Sequence, residues 1–197
     1  MQASRPMILG IGGTLRERSS SELAVRAALA EVERLGAETT LLAGPDLALP
    51  LYAPHLHDRD PAAARLVDLL RRCDGIIVGS PGYHGSISGL LKNALDYAED
   101  TARDPIPYLD GRPFGCIACA YGWQATGSTL AALRSIAHAL RAWPTPLGIA
   151  VNSANMVFDE KGLCVDPALK ANLAIMARQM IAFGYARQSA KHEVAVA

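Results

Sequence analysis

No charge of either sign predominates in this chain. Nineteen Lys and Arg balance 19 Asp and Glu, for a formal net charge of zero. Nothing in that balance suggests an electrostatic grip on nucleic acid, which needs a clear basic excess or stripe. Nor is there the strong acidity expected of a small electron carrier that docks basic partners. Near-zero charge disfavours a soluble monomer and predicts a surface buried between subunits. Long apolar runs are missing too. Gly, Arg or Pro interrupt every such stretch well short of about 20 residues, so no membrane span is expected. Behind Met1 there is no charged segment leading into an apolar run and a cleavage site. No signal peptide is therefore expected, and the chain is expected in the cytoplasm.

Cysteine is scarce: Cys73, Cys116, Cys119 and Cys164. Cys116 and Cys119 form a C-x-x-C, a spacing used for zinc and for thiol redox chemistry. They lie, however, in Phe114-Gly-Cys-Ile-Ala-Cys-Ala, which reads as a buried strand. Residues three apart on a strand point to opposite faces, so these sulfurs neither meet nor share a metal. They are expected to be small buried hydrophobes. No second Cys/His pair stands at metal-ligand spacing, and no metal site is expected.

What is present is a regular alternation of strand and helix along 197 residues. Strands are predicted at residues 6–11, 39–42, 75–79, 113–120 and 147–151. Helices are predicted at about 23–35, 61–72, 86–99, 126–142 and 167–183. Serines precede the first helix and Gly36 follows it, while Pro61 and Pro167 open two others. Such alternation predicts an α/β fold with a five-stranded parallel, doubly wound sheet in the order 2-1-3-4-5, with helices on both faces. The expected organisation is a tail over residues 1–6, one domain over 7–186, and a frayed tail over 187–197.

In open sheets of this kind, ligands sit beyond the carboxyl ends of the strands. Three loops there are chemically unusual. The first, Gly10-Ile-Gly-Gly-Thr-Leu-Arg-Glu-Arg-Ser-Ser-Ser, fails the dinucleotide fingerprint because Leu15 stands where the third glycine belongs. It also lacks the Gly-Lys-Ser/Thr of a Walker A loop. It gathers Thr14, Arg16, Ser19, Ser20 and Ser21 before a helix N-terminus. Free N–H groups, hydroxyls and a guanidinium at that place suit a phosphate. One serine suffices for capping, so the group exceeds what a cap requires. The second loop opens Ser80-Pro-Gly-Tyr-His-Gly-Ser, and its backbone donors and aromatic face suit a flat heterocycle. His84 has no acidic neighbour, which argues against direct catalysis. Lys92 and Asp96, four apart on a helix, are expected to pair with each other. The third loop is Ala120-Tyr-Gly-Trp-Gln-Ala-Thr-Gly.

These segments resemble the NADPH-dependent FMN reductase family, a flavodoxin-like group that includes FMN, quinone, azo-dye and chromate reductases. The family's G-S-x-R-x-x-S-x-N/S is matched by Gly13 to Ser21, and its P-E-Y-N-G-S-x-x-G-x-L-K-N-A-x-D by Pro81 to Asp96. Pro50-Leu-Tyr resembles a further family segment. The likeness covers about residues 7–183. Gly82 replaces the usual Glu and His84 the usual Asn, a change that leans toward the branch supplying reduced flavin to monooxygenases.

The resemblance implies an NAD(P)H-dependent oxidoreductase with FMN as cofactor. Thr14, Arg16, Ser19, Ser20 and Ser21 would hold the FMN phosphate. Pro81, Gly82, Tyr83, His84, Gly85 and Ser86 would edge the isoalloxazine ring. Tyr121, Gly122 and Trp123 occupy the place of a turn that touches its pyrimidine side. Trp123 either covers the ring, meets a neighbouring subunit or simply packs. NAD(P)H would stack on the exposed flavin, and no catalytic side chain is required because the cofactors carry the chemistry. The expected partners are a small-molecule electron acceptor (free flavin, a quinone or another oxidant), a homodimer or homotetramer, and a flavin-dependent monooxygenase. The competing readings are a flavodoxin-type electron carrier without NAD(P)H activity and a binder of some other phosphate. The apolar helix positions Leu90, Leu91, Leu95, Leu130, Leu133, Ile136 and Leu140 serve either a subunit interface or the core.

Overall fold

A computed structural model describes residues 5–196. Most of the expected N-terminal tail, and the last residue of the C-terminal one, lie outside the described residues.

The strands are β1 (Met7–Gly12), β2 (Glu38–Leu42), β3 (Gly75–Pro81), β4 (Pro113–Ala120), β5 (Trp143–Pro144) and β6 (Ile149–Asn152). The helices are α1 (Ser20–Arg34), α2 (Pro61–Arg72), α3 (Gly89–Asp96), α4 (Trp123–Ala139) and α5 (Pro167–Val196). All strand pairs are parallel, in the order β2-β1-β3-β4-β5, and β6 also pairs with β4. The expected fold is thus present, with its fifth strand in two pieces. Pro144 and Pro146 have no N–H for a ladder, so pairing lapses between the pieces. Arg134 instead donates to the carbonyls of Thr145 and Pro146 at 3.2 and 3.0 Å.

Side chains alternate across the sheet and fill two cores. Leu9, Ile76, Phe114 and Cys116 face α2, α3 and α4; Ile8, Ile77, Ile117 and Cys119 face α1 and α5. Cys116 and Cys119 therefore lie on opposite faces, as their spacing predicts. Burial pushes both thiols up to about 12. The apolar positions of α3 and α4 belong to the core: Leu91, Leu95 and Leu133 are buried, while Leu90, Leu130, Ile136 and Leu140 pack against them.

Three helices differ from expectation, the first being α3, which starts only after its Ser88 cap and passes at Tyr97–Thr101 into a 3-10 turn. α4 begins at Trp123, before Thr126, because Gly122 is extended and the Thr126 hydroxyl donates to the Trp123 carbonyl at 2.7 Å. α5 continues past Phe183 to Val196. Its last third contains Ala, Arg, Gln, Lys and Glu without proline, all compatible with helix.

The long loop after β2 is held along α3. Asn93 accepts from the Tyr52 amide at 2.8 Å and donates to the Pro50 carbonyl at 2.9 Å. Arg59 forks onto Asp100 at 2.7 and 2.6 Å while lying over the Tyr52 ring. The Pro50-Leu-Tyr segment and Asn93 thereby fix α3, whose N-terminus borders the functional loops.

Candidate functional site

A cavity of about 330 Å³ opens beyond the carboxyl ends of β1, β3 and β4. Its size falls within the roughly 300–1,000 Å³ range of small-molecule sites. Its walls bring together Thr14, Arg16, Ser19, Ser20 and Ser21 from the first loop, Pro81, Gly82 and Tyr83 from the second, and Tyr121 from the third. His84, Gly85, Ser86, Gly122 and Trp123 do not line it.

At one end of the cavity is the start of α1. Ser19 caps the helix by accepting from the Glu22 amide at 3.3 Å. Among the described residues, the amides of Ser20 and Ser21 have no acceptor. These are the open donors that every helix start leaves, here accompanied by three hydroxyls and a positive dipole end. Arg16 is exposed and its guanidinium has no partner among the described residues. The nearby carboxylate of Glu22 is engaged elsewhere, accepting from the Arg18 amide and from the Arg26 guanidinium, both at 2.8 Å. An anion at the helix start therefore meets donors and a free guanidinium.

The second loop is a tight hairpin. Tyr83 and Ser86 exchange both backbone hydrogen bonds at 3.0 Å, and the two residues between them have positive φ, His84 at 48° and Gly85 at 86°. This is the geometry of a type I′ turn, which favours Asn-Gly. Histidine is among the residues that tolerate the left-handed region. His84 thus holds a turn position with its side chain in solvent.

The loop also presents fewer donors than its sequence suggests. The amides of Gly82, Tyr83, Ser86 and Ser88 are already bonded, to Cys119 O, Ser86 O, Tyr83 O and Ser80 Oγ. Those of His84, Gly85 and Ile87 stay open among the described residues. Gly82 has a steric reason: a Cβ there would come within 2.7 Å of Thr129 Oγ1 on α4.

Four lining residues escaped the sequence. Cys119 and Ala120 end β4, Arg18 follows the matched arginine, and Ser153 follows β6. Ser153 reaches the cavity because its amide bonds to Ala120 O at 2.9 Å. Arg18 carries a signal that only the backbone reveals, a φ of 55°. Its guanidinium donates to the carbonyl of Glu160, at the tip of a small hairpin closed by the Phe158–Cys164 bridge. Trp123 is 63% exposed and faces a neighbouring cavity rather than this one.

The family model described as NADPH-dependent FMN reductase matches residues 6–155. An NAD(P)H-dependent FMN reductase of Pseudomonas aeruginosa is 28% identical over 163 residues, covering 81% of this chain and 84% of that protein. An FMN-dependent NADPH-azoreductase of Staphylococcus aureus is 35% identical over 89 residues, 45% of this chain and 44% of that protein. Among solved structures, the flavoenzyme NAD(P)H:(acceptor) oxidoreductase FerB from Paracoccus denitrificans superposes with a TM-score of 0.71 at 18% identity, covering 90% of this chain and 97% of that one. RosB with a bound 8-demethyl-8-formylriboflavin-5'-phosphate superposes with a TM-score of 0.77 at 14% identity, over 93% and 81% of the two chains. At these identities the structural likeness carries the fold alone.

Proposed function

This chain belongs to the NADPH-dependent FMN reductase family, and from that membership we propose that the cavity beyond β1, β3 and β4 is its FMN seat. The protein is an NAD(P)H-dependent FMN-binding oxidoreductase. The observation that carries the seat is the start of α1: two open amides, the hydroxyls of Ser19, Ser20 and Ser21, and the unpaired Arg16 line the same cavity as Tyr83 and Tyr121. That donor set fits a phosphate joined to a flat ring.

Thr14, Arg16, Ser19, Ser20 and Ser21 hold the phosphate. Pro81, Gly82, Tyr83 and Tyr121 border the ring, and the open amides of His84 and Gly85 lie at the end of the same loop. Ser86, Gly122 and Trp123 stand outside the cavity wall. When bound there, FMN would supply the redox chemistry that links NAD(P)H to an oxidised acceptor. The chain's task is to position the two and leave one ring face open. No acid–base side chain is needed, in keeping with the exposed, turn-forming His84.

The acceptor in this proposal is a small molecule: free flavin, a quinone or another oxidant. The seat belongs to a single domain over residues 7–186, acting in the cytoplasm as a homodimer or homotetramer and supplying a flavin-dependent monooxygenase. Among the described residues, no helix is long and apolar enough to cross a membrane.

The test is anaerobic absorbance of FMN-reconstituted protein during addition of NADPH or NADH. Loss of the oxidised-flavin band near about 450 nm, a property of the cofactor, is the expected result. FMN that binds but stays oxidised would favour an electron carrier. Absence of FMN binding would refute the seat itself.

A further inference from the structure

A second cavity of about 290 Å³ lies beside the flavin seat, beyond the carboxyl end of β6. Its walls include Trp123 at the start of α4, Asn152 ending β6, Asn155 in the following loop, and Asp166 and Asn172 at the start of α5. The two cavities share a thin wall. Tyr121 and Ser153 face the flavin seat, while Trp123 and Asn152, two and one residues away, face the second cavity. Residues that close in sequence are only a few ångströms apart.

The chemistry of this wall is specific. The side-chain amides of Asn155 and Asn172 have no hydrogen-bond partner among the described residues, and Asn172 is half-buried. Asn152 uses only its Oδ1, accepting from the Ala154 amide at 3.1 Å. An asparagine amide offers a donor and an acceptor side by side, which matches the N6/N7 edge of adenine. The exposed indole of Trp123 offers a face on which a base stacks. Asp166 uses Oδ1 to cap α5, accepting from the Leu169 amide at 2.7 Å, and its other oxygen is free for a ribose hydroxyl. No Lys or Arg lines the cavity, so it lacks the charged partner that a phosphate favours.

We infer that this second cavity receives the adenosine end of the nicotinamide dinucleotide while its nicotinamide lies on the flavin. The inference rests on the function proposed above. It assigns to the edge of β6 a role in holding the hydride donor, separate from holding FMN. Asn172 and Trp123 act there on the adenosine, remote from the reacting atoms.

The experiment uses FMN-loaded protein and the variants Asn172→Leu and Trp123→Ala. Titration calorimetry with AMP is the first readout. Both variants are expected to weaken AMP binding about tenfold, the size of one lost hydrogen bond or stacking contact. Kinetics are the second. Asn172→Leu is expected to raise the KM for NADH about tenfold, and to leave unchanged the KM for reduced nicotinamide mononucleotide, which lacks the adenosine. Unchanged FMN affinity shows that the variant is folded. Equal AMP binding in variants and wild type, or an equal rise in KM for both donors, would overturn the inference. Failure of both donors to reduce bound FMN in the wild type would refute the reductase function instead, and AMP titration would still report on the cavity.

Discussion

The Ser88 hydroxyl donates to the carbonyl of Gly13 at 2.7 Å, joining the first ligand loop to the helix that follows the second. The same oxygen caps α3 by accepting from the Leu91 amide at 3.2 Å, and the Ser88 amide donates to Ser80 Oγ at 3.0 Å. Gly13 is held from the other side through its own amide, which donates to Gly79 O at 2.7 Å. One buried serine thus sets the spacing between the phosphate end and the ring end of the flavin seat.

Ser88→Ala removes a helix cap and leaves a buried carbonyl without its donor. Each loss costs about 1 kcal/mol. Urea denaturation is expected to show a destabilisation of about 1–2 kcal/mol. FMN affinity, read by flavin fluorescence, is expected to fall several-fold because the two loops lose their fixed distance.

Arg16→Ala removes the free guanidinium at the start of α1. A hydrogen bond to a charged group contributes about 1.5–3 kcal/mol. FMN binding is expected to weaken by roughly 10- to 100-fold, by the conversion of about 1.4 kcal/mol per tenfold. Riboflavin has no phosphate, so its affinity is expected to stay as in the wild type. An equal loss for both ligands would place Arg16 away from the phosphate.

His84→Asn keeps a residue suited to positive φ in the I′ turn, whereas His84→Val puts a β-branched side chain into the left-handed region. The Asn variant is expected to retain kcat, KM and the pH profile. The Val variant is expected to lose about 1–2 kcal/mol of stability or to loosen the loop and raise KM. A pH-profile change shared by both variants would mean that the imidazole takes part in proton transfer.

The fork from Arg59 holds the Asp100 carboxyl below the usual carboxylate range, and the Tyr52 hydroxyl adds to this from 3.1 Å. A carboxyl with a lowered folded value contributes stability that is complete above its unfolded value, about 3.9. That contribution disappears as pH falls through the lower folded value. Asp100→Asn is expected to cost about 2 kcal/mol at neutral pH, since it leaves a mostly buried guanidinium poorly compensated. The difference from wild type is expected to shrink below about pH 4. Denaturation at neutral and acid pH measures both.

Cys73, Cys116 and Cys119 are buried, and burial raises all three thiols. Cys164 is half-buried and burial raises its thiol too, so native protein is expected to react with a thiol reagent first, and slowly, at Cys164, and to yield four reactive thiols only after unfolding. Peptide mapping of the labelled protein identifies the site.

The amino-acid sequence by itself determined the features that depend on short-range pattern. Alternating apolar runs specify buried strands, and three-residue spacing puts Cys116 and Cys119 on opposite faces. Ser19, Ser20 and Ser21 before a helix prepare a place for an anion through local backbone geometry alone. Tertiary structure decided what depends on partners far along the chain. The Ser88–Gly13 bond joins residues 75 apart. Ser153 reaches the cavity only because β6 pairs with β4, and Gly82 is required only because α4 packs close. The Gly82 amide of the second loop was consumed by Cys119 across the sheet, which no local pattern encodes, whereas Tyr83 and Ser86 pair within their own turn. Trp123 was legible as an aromatic near the site, but its cavity was not, because the start of α5 supplies the opposite wall. Periodicity specifies which face a side chain takes, whereas long-range packing specifies what that face meets.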